Sequence, residues 1–258
     1  MTTYELDTRP TEAVPVPTWS RPTVIMVWAA AALPMAILAW VVAPALAQTL
    51  SGPTALTRAL IVSLTAGLVW QLCLVLIVVR REQGTLRWSV LKAALWLNAP
   101  VSTRTGRPSN KLWWLVAPFT VLLALEEMLP AIPSPVSRDA AAFFGSDVGQ
   151  TWMSGNWVWF AILVVQFTFN TALGEELLFR GLLLPRMGSF GRFDWVVNGV
   201  LFAGYHLHQP WVIPQTLVVD TFAQSLPSRR WRSSLLGIAI HSGQTLFFVV
   251  ITLGLVLR

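Results

Sequence analysis

The chain is poor in charged residues. Only 12% of its 258 residues are Asp, Glu, Lys or Arg, while 55% are hydrophobic and the mean hydropathy is +0.61. An ordinary soluble domain carries about twice that charged fraction, because its surface must be wetted. The composition therefore excludes an ordinary soluble protein and predicts an integral membrane protein.

Cysteine and histidine are also scarce. Cys73 is the only cysteine, which excludes an internal disulfide bond and a cysteine-ligated metal site. The sequence has three histidines and lacks HExxH, the helical signature of many zinc proteases. These absences argue against the commonest cysteine and zinc sites.

Long apolar runs are present, and they are separated by proline, glycine and charged residues. A membrane-spanning helix needs about 20 apolar residues, so the chain has room for about seven spans, within a range of six to eight. The expected fold is an all-α polytopic membrane bundle around a polar intramembrane cavity. The predicted spans are residues 24–48, 55–79, 112–131, 157–184, 194–208, 212–226 and 234–257.

The distribution of basic residues predicts the topology. The segment 80–111 carries seven Lys and Arg residues against Glu82 alone, which marks it as cytoplasmic. The N-terminus is then cytoplasmic, and the predicted location is a bacterial plasma membrane. Topology and contact with anionic membrane lipids account for the positive charge, so no nucleic-acid partner is expected.

The same pattern divides the chain into three parts. Residues 1–23 are predicted to be a disordered cytoplasmic tail. Residues 24–111 would hold two N-terminal spans and the basic loop, and residues 112–258 would form the functional core.

Charged residues interrupt the fourth predicted span, within the run FNTALGEELLFRGLLL. Glu175, Glu176 and Arg180 stand where a membrane helix is normally uncharged, and ionisable groups at such depth are functional candidates. At the rise of an α-helix, Glu175, His206 and His241 all lie about 13–18 Å from the cytoplasmic ends of their spans. Three ionisable residues on three helices are therefore expected to share one depth.

Helical spacing separates the two adjacent glutamates. Glu176 and Arg180 are four residues apart in the favourable order for an ion pair. Glu175 is turned about 100° away and can face the cavity as a general base toward water. The alternative is a buried charge cluster that only locks the helices together.

Two further polar residues lie within the fifth and sixth predicted spans. His208 follows His206 by two positions, so on a helix its ring is expected to point away and to lie at the rim. Asp220 is within the sixth predicted span, where an aspartate needs a partner. It either bonds the histidines of the site or belongs to an interfacial helix.

Three short motifs in the second half of the chain resemble those of a known family. GEELLFRG at 174–181 is similar to the EExxxR motif of the CAAX prenyl protease and bacteriocin-processing family, intramembrane proteases that use a glutamate and no metal. LFAGYH at 201–206 resembles that family's FxxxH motif, here Phe202 and His206. IAIHSGQT at 238–245 resembles its HxxxN motif, with His241 in place. The motifs occur in the family order and cover residues 157–250.

The resemblance implies a mechanism without metal or cofactor. Glu175 would activate water, with His206 helping to hold it, and His241 would stabilise the oxyanion. Glu176 and Arg180 would support the site.

The remaining motif positions have different expected roles. Phe202 would pack beneath the site. One position departs from the family: Thr245 stands where asparagine is usual, and it is preceded by Gln244. Either side chain could supply the oxyanion hydrogen bond that the asparagine provides in the family.

Four interpretations remain at the level of sequence. The first is hydrolysis of a membrane-tethered or hydrophobic peptide. The second is a zinc protease with His206, His241 and Glu175 as ligands. The third is a proton-coupled transporter, against which the lack of repeated halves argues. The fourth is a non-proteolytic immunity or scaffold protein of the same family type, which the departure at Thr245 keeps open.

Overall fold

The computed structural model describes residues 15–129 and 132–258. The protein is 79% helical, and no strand occurs in the part of the chain that is described. The fold is an all-α membrane bundle, as the apolar runs predicted.

Ten helices, numbered here in chain order, make up the described bundle. They are α1 (Arg21–Ala47), α2 (Ala55–Gln83), α3 (Trp88–Ala94), α4 (Asn110–Ala124), α5 (Ala140–Gly145), α6 (Asp147–Met153), α7 (157–186), α8 (Asp194–Tyr205), α9 (213–230) and α10 (Ser234–Val256). Short 3₁₀ turns extend several of them, at Leu125–Met128 after α4 and at His206–His208 after α8.

Each predicted span corresponds to a helix, but the helices differ in their capacity to cross a membrane. Among the described residues, four segments are long and apolar enough to span one: α1, α2, α10 and the helical run Trp157–His208. That run contains the fourth and fifth predicted spans, since α7 and α8 are separated by a turn at Gly191, whose φ of 59° reverses the chain. Helix α4 is a shorter apolar helix.

Side-chain caps define where two of the long helices begin. The Ser20 hydroxyl accepts a hydrogen bond from the amide of Thr23 at the start of α1 (3.3 Å), and the Ser233 hydroxyl accepts one from Leu236 at the start of α10 (3.2 Å). Such caps satisfy amides that have no partner within the helix. Helix α10 therefore starts at Ser234, and His241 lies about two turns inside it.

The predicted tail begins to make contacts before its expected end. Residues 1–14 lie outside the described residues. The indole of Trp19 donates to Glu82 (2.8 Å), and its backbone amide donates to the carbonyl of Arg186 (2.9 Å). Trp19 and Thr23 thus have defined hydrogen-bond partners within the stretch 1–23.

Helix α7 is π-helical over most of its second half. It is α-helical over Trp157–Thr168, and the wider π-helical turns occupy Phe169–Glu175 and Leu177–Leu183. π-Helical turns are rare and occur frequently at functional sites. In this helix they contain or flank all three charged residues of the fourth predicted span.

The position of α7 explains why its charges are buried. One face packs against α2 and another against α10, and α8 folds back along it. The rings of Phe179 on α7 and Phe202 on α8 meet edge to face at 5.0 Å. Side chains from α7 therefore enter the centre of the bundle, where α2, α8 and α10 supply their partners.

Candidate active site

A carboxylate shared by two cationic groups forms the centre of the candidate site. Glu176 Oε1 lies 3.2 Å from the Arg180 guanidinium on the same helix and 3.1 Å from His241 Nδ1 on α10. Glu176 and Arg180 are fully buried. The predicted ion pair between them is present, and His241 extends it to a second helix.

The contact with Glu176 fixes the orientation of the His241 ring. An ionised carboxylate only accepts hydrogen bonds, so Nδ1 carries the hydrogen in this contact. The second ring nitrogen, Nε2, is then the atom that can face a ligand.

Glu175 is buried beside Glu176 but has a different partner. Its side chain is only 3% exposed, and it accepts a hydrogen bond from the Tyr205 hydroxyl. That hydroxyl in turn accepts from the Gln71 amide (2.7 Å). Because Tyr205 and Gln71 are neutral, the Glu175 carboxylate is held without being fixed in a direct ion pair.

His206 lies at the end of α8 and turns its ring toward the same region. Its Nδ1 donates to the carbonyl of Phe202 (3.0 Å), so Nε2 of the neutral ring is an acceptor. His241 is within electrostatic range of both His206 and Glu175. The structure thus brings the three ionisable residues of the sequence analysis into one neighbourhood.

The Arg180 guanidinium has an unusual environment for a buried cation. It lies over the ring of Phe202, 4.0 Å from the ring centroid, and none of its three nitrogens makes a hydrogen bond of good geometry with a described protein group. Phe202 therefore contacts the guanidinium directly through the face of its ring.

A second buried arginine on the same helix, Arg186, differs from Arg180 because its guanidinium nitrogens all have hydrogen-bond partners. Arg186 binds the Glu82 carboxylate through Nε and Nη2, at 3.0 and 2.6 Å to Oε2. Its Nη1 donates to the carbonyls of Ala94 (3.1 Å) and Leu182 (2.9 Å). Arg186 has the bonds of a structural arginine, whereas Arg180 keeps donor capacity inside the site.

Thr245 lies one helical turn after His241 and meets the helix of the glutamates. Its hydroxyl is hydrogen-bonded to the hydroxyl of Thr171, which is one turn before Glu175 on α7. Gln244, the neighbouring alternative, is half-buried on α10. Of these two residues, Thr245 is the one with a bond to α7 in the structure.

Helix α9 supplies Asp220, which the sequence analysis considered for the site, and two polar residues that it missed, Gln224 and Ser228. Asp220 is 4% exposed and accepts a hydrogen bond from the Gln224 amide (2.5 Å). It is within electrostatic range of Arg180 and Glu176. Ser228, fully buried, follows one turn after Gln224. Their four-residue spacing was the available signal, since it puts them on one helical face.

Gly237 is a further residue that sequence reasoning missed. A Cβ at this position would lie 2.6 Å from Glu176 Oε2 and 2.8 Å from the Ser228 hydroxyl. Glycine leaves room for α10 to approach the carboxylate this closely, whereas a Cβ would force the Glu176 or Ser228 side chain to move.

The prediction that His208 points away to the rim is wrong. His208 is only 8% exposed, and its ring stacks on that of His206 with 5.4 Å between centroids. The reason is that α8 ends at Tyr205 and the chain continues in a 3₁₀ turn, where residues two apart do not follow α-helical directions.

Among the described residues, no group of three His, Cys, Asp or Glu side chains is arranged to hold a metal ion. His241 Nδ1 and His206 Nδ1 both face protein acceptors. The site as folded is a network of hydrogen bonds and charges, drawn from α2, α7, α8, α9 and α10.

Fold and site together define an integral membrane protein with paired glutamates and histidines inside a helical bundle. Residues 156–256 match the family described as type II CAAX prenyl endopeptidase, Rce1-like. The resemblance drawn from the three motifs is confirmed over that segment, which contains α7 to α10; helices α1 to α6 lie before it. No curated protein and no solved structure matches the chain.

Proposed function

We propose that this protein is an intramembrane, metal-independent endopeptidase in which Glu175 activates water to hydrolyse a membrane-associated or hydrophobic peptide. One observation carries the proposal most directly. Glu176 Oε1 contacts both Arg180 and His241, while the adjacent Glu175 accepts a hydrogen bond from the neutral Tyr205. One carboxylate is thus committed to charge pairing and the other is available to accept a proton.

Glu175 is proposed to act first as a general base and then as a general acid. The carboxylate takes a proton from water as the water oxygen attacks the peptide carbonyl carbon. His206 Nε2 accepts a hydrogen bond from the same water and helps to hold it. When the carbon–nitrogen bond breaks, the proton passes from Glu175 to the leaving amine, and the carboxylate is restored.

His241 and Thr245 are the proposed donors to the oxyanion that forms on the carbonyl oxygen. The Nδ1–H of His241 is used by Glu176, so Nε2 is the donor when the ring is protonated. If the Thr171 hydroxyl donates to Thr245, the hydrogen of Thr245 is free to point at the substrate. Each such donor contributes about 100- to 1,000-fold in rate.

Membrane lipids would surround the protein. The substrate would reach the site from the lipid or from the side of the membrane on which the basic loop lies. The basic loop would face the cytoplasm of a bacterium, with the N-terminus on the same side. The peptide is defined by its chemistry: it is apolar enough to enter the bundle, with or without a prenyl group.

The test is cleavage of a membrane-tethered, quenched fluorescent peptide by the purified protein in proteoliposomes, with a strong chelator present. Cleavage that survives chelation supports the proposal. Cleavage that the chelator abolishes and zinc restores would assign the site to a metalloprotease. Absence of cleavage across prenylated and unprenylated peptides would favour the non-proteolytic immunity or scaffold role.

A further inference from the structure

A pocket of about 460 Å³ opens at the basic end of the bundle, away from the candidate active site. It lies between the segment 101–106, the end of α9 and the start of α8. Its volume is within the roughly 300–1,000 Å³ typical of small-ligand sites. Neither Glu175 nor His241 lines it, so it is a separate feature of the protein.

Hydrogen bonds hold the walls of this pocket in place. The amide of Val101 donates to the carbonyl of Trp231 (2.8 Å). The Asn98 side chain donates to the carbonyl of Arg232 (3.0 Å), and the Ser233 hydroxyl donates to the carbonyl of Asn98 (2.6 Å). The basic loop is therefore hydrogen-bonded to the turn between α9 and α10, so the pocket between them is preformed in the fold.

The charged wall of the pocket consists of Arg229, Arg230 and Arg232, and no acidic residue is among its described lining residues. Arg229 is paired with Asp194 at the start of α8. Arg230 and Arg232 are exposed. Two guanidinium groups are thus presented to the opening of a preformed pocket.

The opposite wall is apolar, which narrows the class of ligand. Val101, Trp195 and Leu226 line it. Arginine forks match the geometry of phosphate oxygens, and basic pockets at the cytoplasmic ends of membrane helices are suited to phosphorylated headgroups. A phosphate beside an apolar wall has the chemistry of an anionic phospholipid, while a free phosphate would use the arginines alone.

We propose that this pocket binds a phosphate-bearing anion at the membrane surface, with Arg230 and Arg232 as its principal ligands. This site does not depend on peptide hydrolysis, so the experiment on anion binding tests it separately from the proposed function. Binding in this pocket differs from non-specific attraction between a basic surface and the membrane. Removal of other arginines on the same face would weaken the non-specific attraction and leave binding in the pocket unchanged.

The experiment compares two double variants with equal charge loss. Arg230→Gln with Arg232→Gln removes the proposed ligands, and Arg80→Gln with Arg81→Gln removes two exposed arginines at the end of α2, on the same side of the bundle. Each protein is placed in nanodiscs of phosphatidylcholine with or without phosphatidylglycerol, and retained lipid is measured by native mass spectrometry. Lipid-free protein in detergent is titrated with inorganic phosphate while its thermal unfolding is followed.

Wild type and the Arg80/Arg81 variant are expected to retain phosphatidylglycerol selectively. The Arg230/Arg232 variant is expected to lose about tenfold in apparent affinity for each arginine removed. Stabilisation by inorganic phosphate without selective lipid retention would support the site and assign it to soluble phosphate. Equal losses in both double variants, or no response to either ligand, would overturn it. The single variant Arg230→Gln repeats the test if the double variant does not fold.

Discussion

The hydroxyls of Thr171 and Thr245 are hydrogen-bonded to each other, one turn from the contact between Glu176 and His241. The two contacts join α7 and α10 in antiparallel register. They put the residue that departs from the family motif on the helix face that carries His241.

Thr245→Val tests the role proposed for this hydroxyl. The change keeps the shape and removes the donor, so kcat is expected to fall about 100-fold. The melting temperature should fall modestly, because the buried Thr171 hydroxyl loses its partner. Thr252→Val is the matched control, because the bonds of the Thr252 hydroxyl within the described part of the chain go to the backbone carbonyls of Phe248 and Val249 on its own helix. An equal effect of both substitutions on kcat would contradict a specific role for Thr245.

Gly237→Ala tests the close approach of α10 to the central carboxylate. The added Cβ would lie 2.6 Å from Glu176 Oε2, so we expect a lower melting temperature and a lower rate. Gly254→Ala on the same helix is the control, since a Cβ there meets nothing within 4 Å. That change is expected to be neutral or to stabilise by about 0.5–1 kcal/mol. Similar behaviour of the two variants would rule out the proposed packing.

Glu176→Gln would leave the fully buried Arg180 without its counter-charge, which typically costs about 3–5 kcal/mol. Thermal unfolding in detergent should show the loss. The double variant Glu176→Gln with Arg180→Met removes both charges and is expected to regain much of that stability while its hydrolysis rate stays low. If the double variant were no more stable than the single one, the two charges would not be coupled.

The two buried arginines of α7 are expected to respond differently to the same substitution. Arg186→Met breaks bonds to Glu82 and to two backbone carbonyls, so it should lower the melting temperature and leave the kcat of the folded fraction unchanged. Arg180→Met should lower kcat as well. Active-site titration of the folded fraction checks this, and a fall in kcat for Arg186→Met alone would argue against the distinction.

Apolar runs and the positions of proline and glycine were enough to predict the helical bundle. The spacing of Glu176 and Arg180 also predicted their ion pair, because both residues lie on one helix. Helix ends were less accessible: α8 stops at Tyr205, and this early stop reverses the predicted direction of His208.

Partners from distant parts of the chain could not be predicted in this way. Gln71 reaches Tyr205 across 134 residues of sequence, and Thr171 meets Thr245 across 74. Such contacts depend on how helices pack and on the register between them, which hydropathy does not encode. The π-helical turns of α7 add to this, because they shift side-chain directions away from α-helical spacing.

The most direct test of the central claim is the single-turnover rate of Glu175→Gln on a membrane-tethered peptide. The substitution preserves the size of the side chain and an oxygen that can accept from Tyr205, so the fold should persist. We predict a rate at least about 100-fold below wild type, with an unchanged melting temperature. Cleavage by Glu175→Gln at the wild-type rate would contradict the assignment of Glu175 as the base.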